Sequence, residues 1–245
     1  MQTIEQLMKN NVDIDKVRKI NGVPEVVFVC WFGTTISNVR LRALNSLLTN
    51  LKVPYVLITD DNLELYAKNL HFTWDLLAVN HKSDYLRAYL MHNYGGGYHD
   101  VKFRHDNWIG QWSVFEDDNV WIKSRRERYP HWIGYDIDHS ETKWIQQRFH
   151  ELGTMGWCIC RPKTDYTANL LDKIEHKLNL HSEKLKLHPA KNQTTYYGNN
   201  AFNKVTGNYP LRWLELMGEH SHLLMYKYRD HMVFGLPDAG LETYK

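Results

Sequence analysis

The residues best suited to chemistry lie close together in residues 81–103, which read HKSDYLRAYLMHNYGGGYHDVKF. Asp84 and Arg87 are three apart in a stretch with helical periodicity, so they share one face of the predicted helix. Gly95–Gly97 are predicted to end this helix in a turn, because glycine enters left-handed backbone conformations without steric cost. The pattern therefore predicts a helix that carries a carboxylate and a guanidinium next to the start of a strand.

The predicted strand carries a second set of polar side chains. Tyr98, Asp100 and Lys102 alternate along it and should therefore point to one side. Together with Asp84 and Arg87, they are expected to converge at one end of a sheet. Such a set of groups is suited to binding a phosphate.

This combination resembles the sugar-binding region of glycosyltransferases with a DXD motif, which include capsule-type transferases, mannosyltransferases and the catalytic domains of glucosylating toxins. The matching residues are Ser83-Asp84-Tyr85-Leu86-Arg87 and Tyr94-Gly95-Gly96-Gly97-Tyr98-His99-Asp100-Val101-Lys102. The resemblance implies the GT-A fold, an α/β nucleotide-binding fold with a mainly parallel central sheet. It also implies transfer of a sugar from a nucleotide-diphosphate donor, with a UDP-sugar as the first expectation, to a hydroxyl of a glycan or glycoprotein.

Two other functions remain open at this stage. One is a non-catalytic carbohydrate-binding descendant of such an enzyme, and the other is a nucleotide-sugar hydrolase in which water replaces the acceptor. The feature that favours the non-catalytic descendant is a departure from the motif, in which Lys102 replaces the second aspartate.

This replacement puts the cofactor in question. The missing aspartate is the usual ligand of Mn²⁺ or Mg²⁺ in the family, and a protonated lysine donates hydrogen bonds but cannot coordinate a cation. Asp100 can still hold a metal through water and a downstream ligand. Alternatively, the Lys102 ammonium replaces the metal beside the departing diphosphate, which needs positive charge as the glycosidic bond breaks. In a third interpretation Lys102 points to solvent.

The resemblance assigns roles to further residues. An aromatic side chain at the end of the first buried strand would stack on the nucleotide base, and Trp31 occupies this place. Arg87, Asp100 and Lys102 form the implied catalytic set. The implied donor-binding set is Trp31, Phe32, Asp60, Ser83, Asp84, Arg87, Gly96, Gly97, Tyr98 and Asp100.

Each of these residues also has a purely structural interpretation. Trp31 can be a core residue that covers the sheet, and Tyr98 an ordinary strand residue. Asp84 and Arg87 can form a surface ion pair, which contributes little to stability. Asp60 can cap the helix that follows it.

Downstream candidates are weaker. His222 and His231 are candidate ligands for a cation or the diphosphate, and Thr206-Gly207-Asn208 resembles a T-G-P element of the family that lines the donor pocket. An inverting displacement needs a carboxylate that deprotonates the acceptor, whereas a retaining mechanism needs none. The candidate bases are Glu116, Asp117, Asp136 and Asp138.

The elements that must position these residues begin with two continuous apolar runs, 26–31 and 54–59, which predict buried strands. A helix from Asn38, with Ser37 as its cap, follows the first strand, and a short helix to about Leu70 follows the second. This alternation predicts an α/β fold with a mainly parallel sheet. Ligands of such sheets bind at the carboxyl ends of the strands.

The remaining segments complete the expected fold. Residues 1–20 are predicted to form a helical lead-in, and two cysteines, Cys158 and Cys160, to be inert core residues. The other predicted elements are strands at 120–123 and 155–160, a helix at 165–180, a loop at 181–195, a helix at 210–218 and an edge hairpin at 223–234.

Length and composition limit the range of functions. The 245 residues suit one large domain, with residues 1–110 as the nucleotide-sugar-binding half and 111–245 as the acceptor-side half. The 30 basic and 28 acidic residues nearly balance, which argues against a nucleic-acid partner. Three cysteines without a disulfide pattern, no signal peptide and no long apolar run favour a cytoplasmic protein without a transmembrane segment, for which peripheral membrane contact stays open.

Overall fold

The structure is a computed structural model that describes residues 1–33, 35–134, 142–190 and 208–240. Its α-helices in this part of the chain are α1 (Ile4–Met8), α2 (Asn38–Leu51), α3 (Val79–Asn93), α4 (Thr142–Gln147), α5 (Asp165–Leu187) and α6 (Gly218–Lys227). The strands are β1 (Lys19–Ile20), β2 (Val23–Pro24), β3 (Val27–Cys30), β4 (Tyr55–Ile58), β5 (Gly96–His99), β6 (Ile122–Arg126), β7 (Gly153–Cys160) and β8 (Met232–Phe234).

Six of these strands form the central sheet, in the order β4-β3-β5-β7-β6-β8. The pairs β4–β3, β3–β5 and β6–β8 are parallel, and β7 is antiparallel to both of its neighbours. Five strands therefore end at the same edge of the sheet, and β7 begins there. The prediction of an α/β fold with a mainly parallel sheet flanked by helices is confirmed.

The apolar runs of the first half form strands as predicted, because they are buried on both faces of the sheet. In β3, Phe28 and Cys30 face the core that contains α3, α5 and α6. Val27 and Val29 face the opposite core, which contains α2. The cap of α2 is also confirmed, since the Ser37 hydroxyl accepts a hydrogen bond from the backbone of the first helical turn.

The predicted triple-glycine turn is wrong in part. Only Gly95 lies between α3 and β5, with φ at +69°, while Gly96 and Gly97 belong to the strand. A Cβ on Gly96 would lie 3.0 Å from the carbonyl oxygen of Pro24, and one on Gly97 would lie 2.8 Å from the ring of Trp108. Both glycines therefore allow close packing at the start of β5.

Three predictions about helices are wrong. The lead-in is α-helical only in α1, and a 3₁₀ turn at Ile14–Lys16 and strand β1 follow it. Helix α5 continues to Leu187, beyond the predicted start of the loop at 181, because Leu185 is fully buried in the core. The short helix expected before Leu70 is a 3₁₀ turn at Leu63–Leu65.

The segment 210–234 departs most from prediction. The helix expected at 210–218 instead begins at Gly218 and runs to Lys227, where part of a hairpin was predicted. The apolar residues of this helix, Leu224 and Met225, pack into the core. Only the edge position of the hairpin is retained, by β8. Among all helices of the described ranges, none is long and apolar enough to cross a membrane.

Candidate functional site

A cavity of about 650 Å³ opens at the edge where β3, β5 and β6 end. Its walls come from the residues after these strands, the first turns of α3, the start of β7 and the segment 213–222. The sheet thus brings together residues that are far apart in sequence. This is the place where parallel α/β sheets bind ligands.

Arg87 is the centre of a buried cluster on the cavity wall. Its Nη2 donates to Asp84 Oδ1 at 3.1 Å and to Asp100 Oδ1 at 3.3 Å, and its Nη1 donates to the Met155 carbonyl oxygen at 2.9 Å. The guanidinium carbon lies 4.4 Å from the ring centre of Tyr98. The Arg87 side chain is only 8% exposed, so this cluster is not an ordinary surface ion pair.

Lys102 lies on the other side of Asp100. Its Nζ is 4.0 Å from Asp100 Oδ2 and 4.7 Å from the ring centre of Trp157. Its side chain is 20% exposed, and burial lowers the pKa of the ammonium. Lys102 therefore lines the cavity with its charge beside Asp100, and the interpretation in which it simply points to solvent is wrong.

The backbone holds Asp100 in place after β5. Its N–H donates to the carbonyl oxygen of Gly156 on β7 at 2.7 Å. A Cβ on Gly156 would lie 3.1 Å from Asp100 Oδ2, so the glycine leaves room for the carboxylate. Arg40 fixes the following residue by donating to the Val101 carbonyl oxygen at 3.0 Å.

The carboxyl of Asp84 has a raised pKa. Burial raises the pKa of its carboxyl to about 7; the charge of Asp100 adds to this shift, and Arg87 opposes it. The group is therefore poised to change its protonation near neutral pH. Perturbed acids in a cleft are frequent at functional sites.

The side chains around Asp100 do not form an ordinary binding site for Mn²⁺ or Mg²⁺. One carboxylate oxygen meets Arg87 and the other faces Lys102, and both neighbours are cations. Hard divalent cations instead need several oxygen ligands. No group of three or more His, Cys, Asp or Glu residues that could hold a metal occurs within the part of the chain that the structure describes.

The end of β3 supplies an aromatic wall. Trp31 and Phe32 both line the cavity, and Phe32 packs edge-on against Trp74 with ring centres 5.4 Å apart. The Trp31 Nε1 is buried and has no hydrogen-bond partner among the described residues. Asp60 lies outside the lining and accepts from the Gly33 N–H at 2.8 Å, which shapes the loop after β3.

The remaining predicted residues divide into two groups. Ser83 lines the cavity and donates to the Val79 carbonyl oxygen at 3.0 Å. His231 lies elsewhere and stacks on Trp121 at 3.8 Å between ring centres. Outside the lining are also Gly96, Gly97, Glu116 and Asp117, whereas Asp136, Asp138, Thr206 and Gly207 lie outside the described residues.

Sequence reasoning missed Glu127, which follows β6 and faces the cavity with a side chain only 5% exposed. Its Oε2 lies 3.4 Å from Arg125 Nη2, and its Oε1 lies 3.8 Å from His222 Nε2. Burial raises the pKa of Glu127, but His222, Arg125 and Thr154 outweigh it and hold the pKa below its ordinary value. The residue was hidden in a charge run, SRRER, that reads as solvated surface.

A polar network anchors the segment that forms the far wall of the cavity. His81 Nε2 donates to the Arg212 carbonyl oxygen at 2.9 Å, and the Tyr209 hydroxyl lies 2.9 Å from His81 Nδ1. Glu215 meets His181 at 3.0 Å and Lys177 at 3.5 Å. The segment is therefore tied to both α3 and α5.

Comparison with known proteins adds little to this geometry. No protein-family model and no curated protein matches the sequence. Among solved structures, the chain is similar to one titled "PaToxG Glycosyltransferase", with a TM-score of 0.37, 13% identity, and coverage of 68% of this chain and 65% of that chain. The chain thus spans less than two thirds of that structure, and at this TM-score the similarity carries no argument about the site.

Proposed function

We propose that the protein is a glycosyltransferase that moves a sugar from a nucleotide-diphosphate donor, with a UDP-sugar as the first candidate, to a hydroxyl of a glycan or glycoprotein. The observation that carries this proposal is the partly buried cluster of Asp84, Arg87, Asp100 and Lys102 at the end of β5. It offers two carboxylates for sugar hydroxyls and two cations for phosphates on one wall of a cavity large enough for a donor.

The order of strands in the sheet supports a placement of the base and the sugar of the donor along the cavity. Trp31 follows β3, and Asp100 follows the adjacent strand β5, so the two positions lie about 5 Å apart across the sheet. In this arrangement Trp31 stacks on the base and Asp84 binds hydroxyls of the transferred sugar. Tyr98 is 1% exposed, and its ring packs against the Arg87 guanidinium. Its contribution to donor binding is therefore indirect, through the position of Arg87.

In the proposed reaction Lys102 takes the place of a divalent metal. As the bond between the sugar and the diphosphate breaks, negative charge develops on the leaving oxygen, and a fixed cation nearby stabilises it. Arg87 and Lys102 flank Asp100 at 3.3 and 4.0 Å, and Arg87 also pairs with Asp84 at 3.1 Å. The position of the Lys102 ammonium beside Asp100 supports a metal-independent transferase.

We propose the cytoplasm as the place of action. Cys30, Cys158 and Cys160 are all free and buried, although the sulfurs of the last two are only 4.0 Å apart. Free cysteines are typical of reducing compartments.

Calorimetric titration tests the proposal. Nucleotides and nucleotide sugars are titrated into the full chain with Mn²⁺ and again with EDTA. Binding of one nucleotide sugar that EDTA leaves unchanged supports both the activity class and the role of Lys102. Loss of binding in EDTA would remove that role, and no binding of any donor would favour a non-catalytic carbohydrate-binding protein. Donor cleavage that needs no acceptor would indicate a hydrolase.

A further inference from the structure

The cavity continues past the proposed donor site towards β6. Asp100 and Glu127 follow β5 and β6, and β7 lies between those strands. Two strand spacings, roughly 10 Å, separate β5 from β6, and the two residues are also offset along the strands, because Asp100 bonds to β7 at Gly156 and Glu127 bonds at Leu152. This distance leaves room for a sugar ring between the diphosphate site and the residues beyond β7.

Two buried polar atoms at this end of the cavity make no hydrogen bond with a described residue. They are Ser221 Oγ and His222 Nε2, whose residues are 1% and 5% exposed, and the Nε2 faces Glu127 Oε1 across a longer gap of 3.8 Å. His222 Nδ1 accepts from the Gly134 N–H at 3.0 Å, so in the neutral ring Nε2 carries the proton. Because buried polar groups are normally satisfied, these atoms point to a ligand.

Two tryptophans also line the cavity, Trp132 beside Arg125 and Trp213 on the segment that carries Ser221 and His222. Trp213 is 37% exposed and lines the cavity, as does the half-buried Trp132. Arg125 and Tyr129 hold Trp132 in place, with the guanidinium carbon 5.5 Å and the tyrosine ring centre 4.9 Å from its ring. Aromatic faces take up apolar C–H surface, whereas Glu127 offers an acceptor for hydroxyl groups.

We propose that this end of the cavity is the acceptor subsite and that it binds a sugar ring rather than a peptide side chain. Trp213 and Trp132 contact the C–H face of the ring. Glu127 accepts a hydrogen bond from a hydroxyl, and His222 and Ser221 supply donors. A sugar presents both kinds of surface on one small ring, whereas serine or threonine presents only one hydroxyl. The inference rests on the proposed function, since it is the acceptor of that reaction.

Binding of methyl glycosides to the full chain, measured by saturation-transfer NMR in the presence of UDP, tests the subsite. At least one methyl hexoside is expected to bind, and Trp213→Ala should weaken its binding roughly tenfold, which corresponds to about 1.4 kcal/mol. Trp144→Ala is the matched control, because Trp144 is 39% exposed on α4 and lies outside the cavity. Nucleotide affinity and thermal unfolding of each variant show that the donor site and the fold are intact.

A second variant distinguishes specific sugar binding at the subsite from nonspecific binding to exposed tryptophan rings. Glu127→Gln should also weaken the glycoside, while the affinity for UDP stays within about twofold. Donor binding with transfer to serine or threonine peptides, and none to glycosides, would overturn this inference and leave the proposed function standing. Glycoside binding that depends on Trp213, without binding of any nucleotide, would instead overturn the proposed function and retain a sugar subsite.

Discussion

At the scale of single residues, Arg87 decides the geometry of the site. It donates to two carboxylates and one carbonyl oxygen and lies over the ring of Tyr98. A lysine has no planar fork of donors and cannot make these contacts together. The spacing of Asp84 and Arg87 therefore places one carboxylate beside this rigid cation, and the residue after β5, Asp100, supplies the second.

The carboxyl of Asp84 should control the pH dependence of donor turnover. Its pKa is raised from 3.8 to about 7. In the proposed reaction the ionised form accepts hydrogen bonds from sugar hydroxyls, so kcat/KM should rise with pH through neutrality. Asp84→Asn should remove this step and lower turnover roughly a hundredfold. Asp13→Asn is the matched control, since Asp13 forms an i,i+3 ion pair with Lys16 on the surface. A profile with the same step in Asp84→Asn would assign the titration to another group.

Lys102→Asp introduces the second aspartate of a DXD motif at this position. If Lys102 replaces a metal, activity of this variant should fall strongly without Mn²⁺ and recover when Mn²⁺ is added. Lys102→Ala should lose activity without such recovery. Turnover by Lys102→Asp that ignores both Mn²⁺ and EDTA would give Lys102 another role.

Spacing alone could predict that Asp84 and Arg87 share a helix face. It placed Asp100 and Lys102 on the strand, whereas both residues follow β5, which ends at His99. It could not find Glu127, which is buried only because Arg125 and His222 come from β6 and α6 to surround it. A carboxylate within a charge run carries no sign of such burial. The buried Ser221 hydroxyl, which makes no hydrogen bond with a described residue, is equally invisible until α6 is in place.

At the scale of elements, the far wall of the cavity depends on neutral His81. Its ring stacks on Tyr209 with an interplanar angle of 3°, and burial lowers its pKa from 6.5 to about 4. Glu215 adds a second acid-sensitive group. Burial works against its charge, but His181 and Arg212 lower its pKa to about 2.

Protonation of His81 should therefore destabilise the folded protein in acid. The folded state binds the His81 proton less tightly than the unfolded chain, so the free energy of unfolding falls as pH drops from 6.5 towards 4. His81→Gln should reduce the loss between pH 7 and pH 4 by about 3 kcal/mol. Urea unfolding at both pH values measures this difference, with the 60% exposed His150 as the site of a control His→Gln change. Equal losses in all three proteins would exclude His81.

Helices and strands could be predicted from the sequence where their burial produces a regular apolar pattern. The runs 26–31 and 54–59 could be recognised because strands buried on both faces are continuously apolar. Helix α6 could not, since Glu219 and Ser221 are buried beside its apolar residues and leave no apolar stripe. Glu219 tolerates burial because Arg212 lies 2.9 Å away and Lys177 lies 3.9 Å away, in distant parts of the sequence.

At the scale of the whole molecule, the segment after β8 contacts the loop that follows β5 and the end of β6. The Pro237 carbonyl oxygen accepts from Arg104 at 3.3 Å, and the Gly240 N–H donates to the Phe103 carbonyl oxygen at 2.9 Å. Asp238 pairs with Arg125 at 3.1 Å, next to Glu127. The site is thus held from a part of the sequence that contributes no lining residue.

Asp238→Ala should lower the free energy of unfolding by about 1–3 kcal/mol, because it removes a partner of the buried Arg125. The matched control is Asp230→Ala, which changes an exposed aspartate in the turn before β8. Urea unfolding of both variants provides the measurement. A destabilisation in Asp238→Ala no larger than that of the control would show that this contact contributes nothing.

The position of β8 beside β6 also affects how the protein is made. About 110 residues separate Glu127 from Asp238, so a ribosome needs roughly 5–20 s to add them. During that time β6 lacks its outer neighbour and exposes an unpaired edge, which is a template for aggregation. Nascent chains should therefore need protection by chaperones until residues 232–240 emerge and complete the sheet.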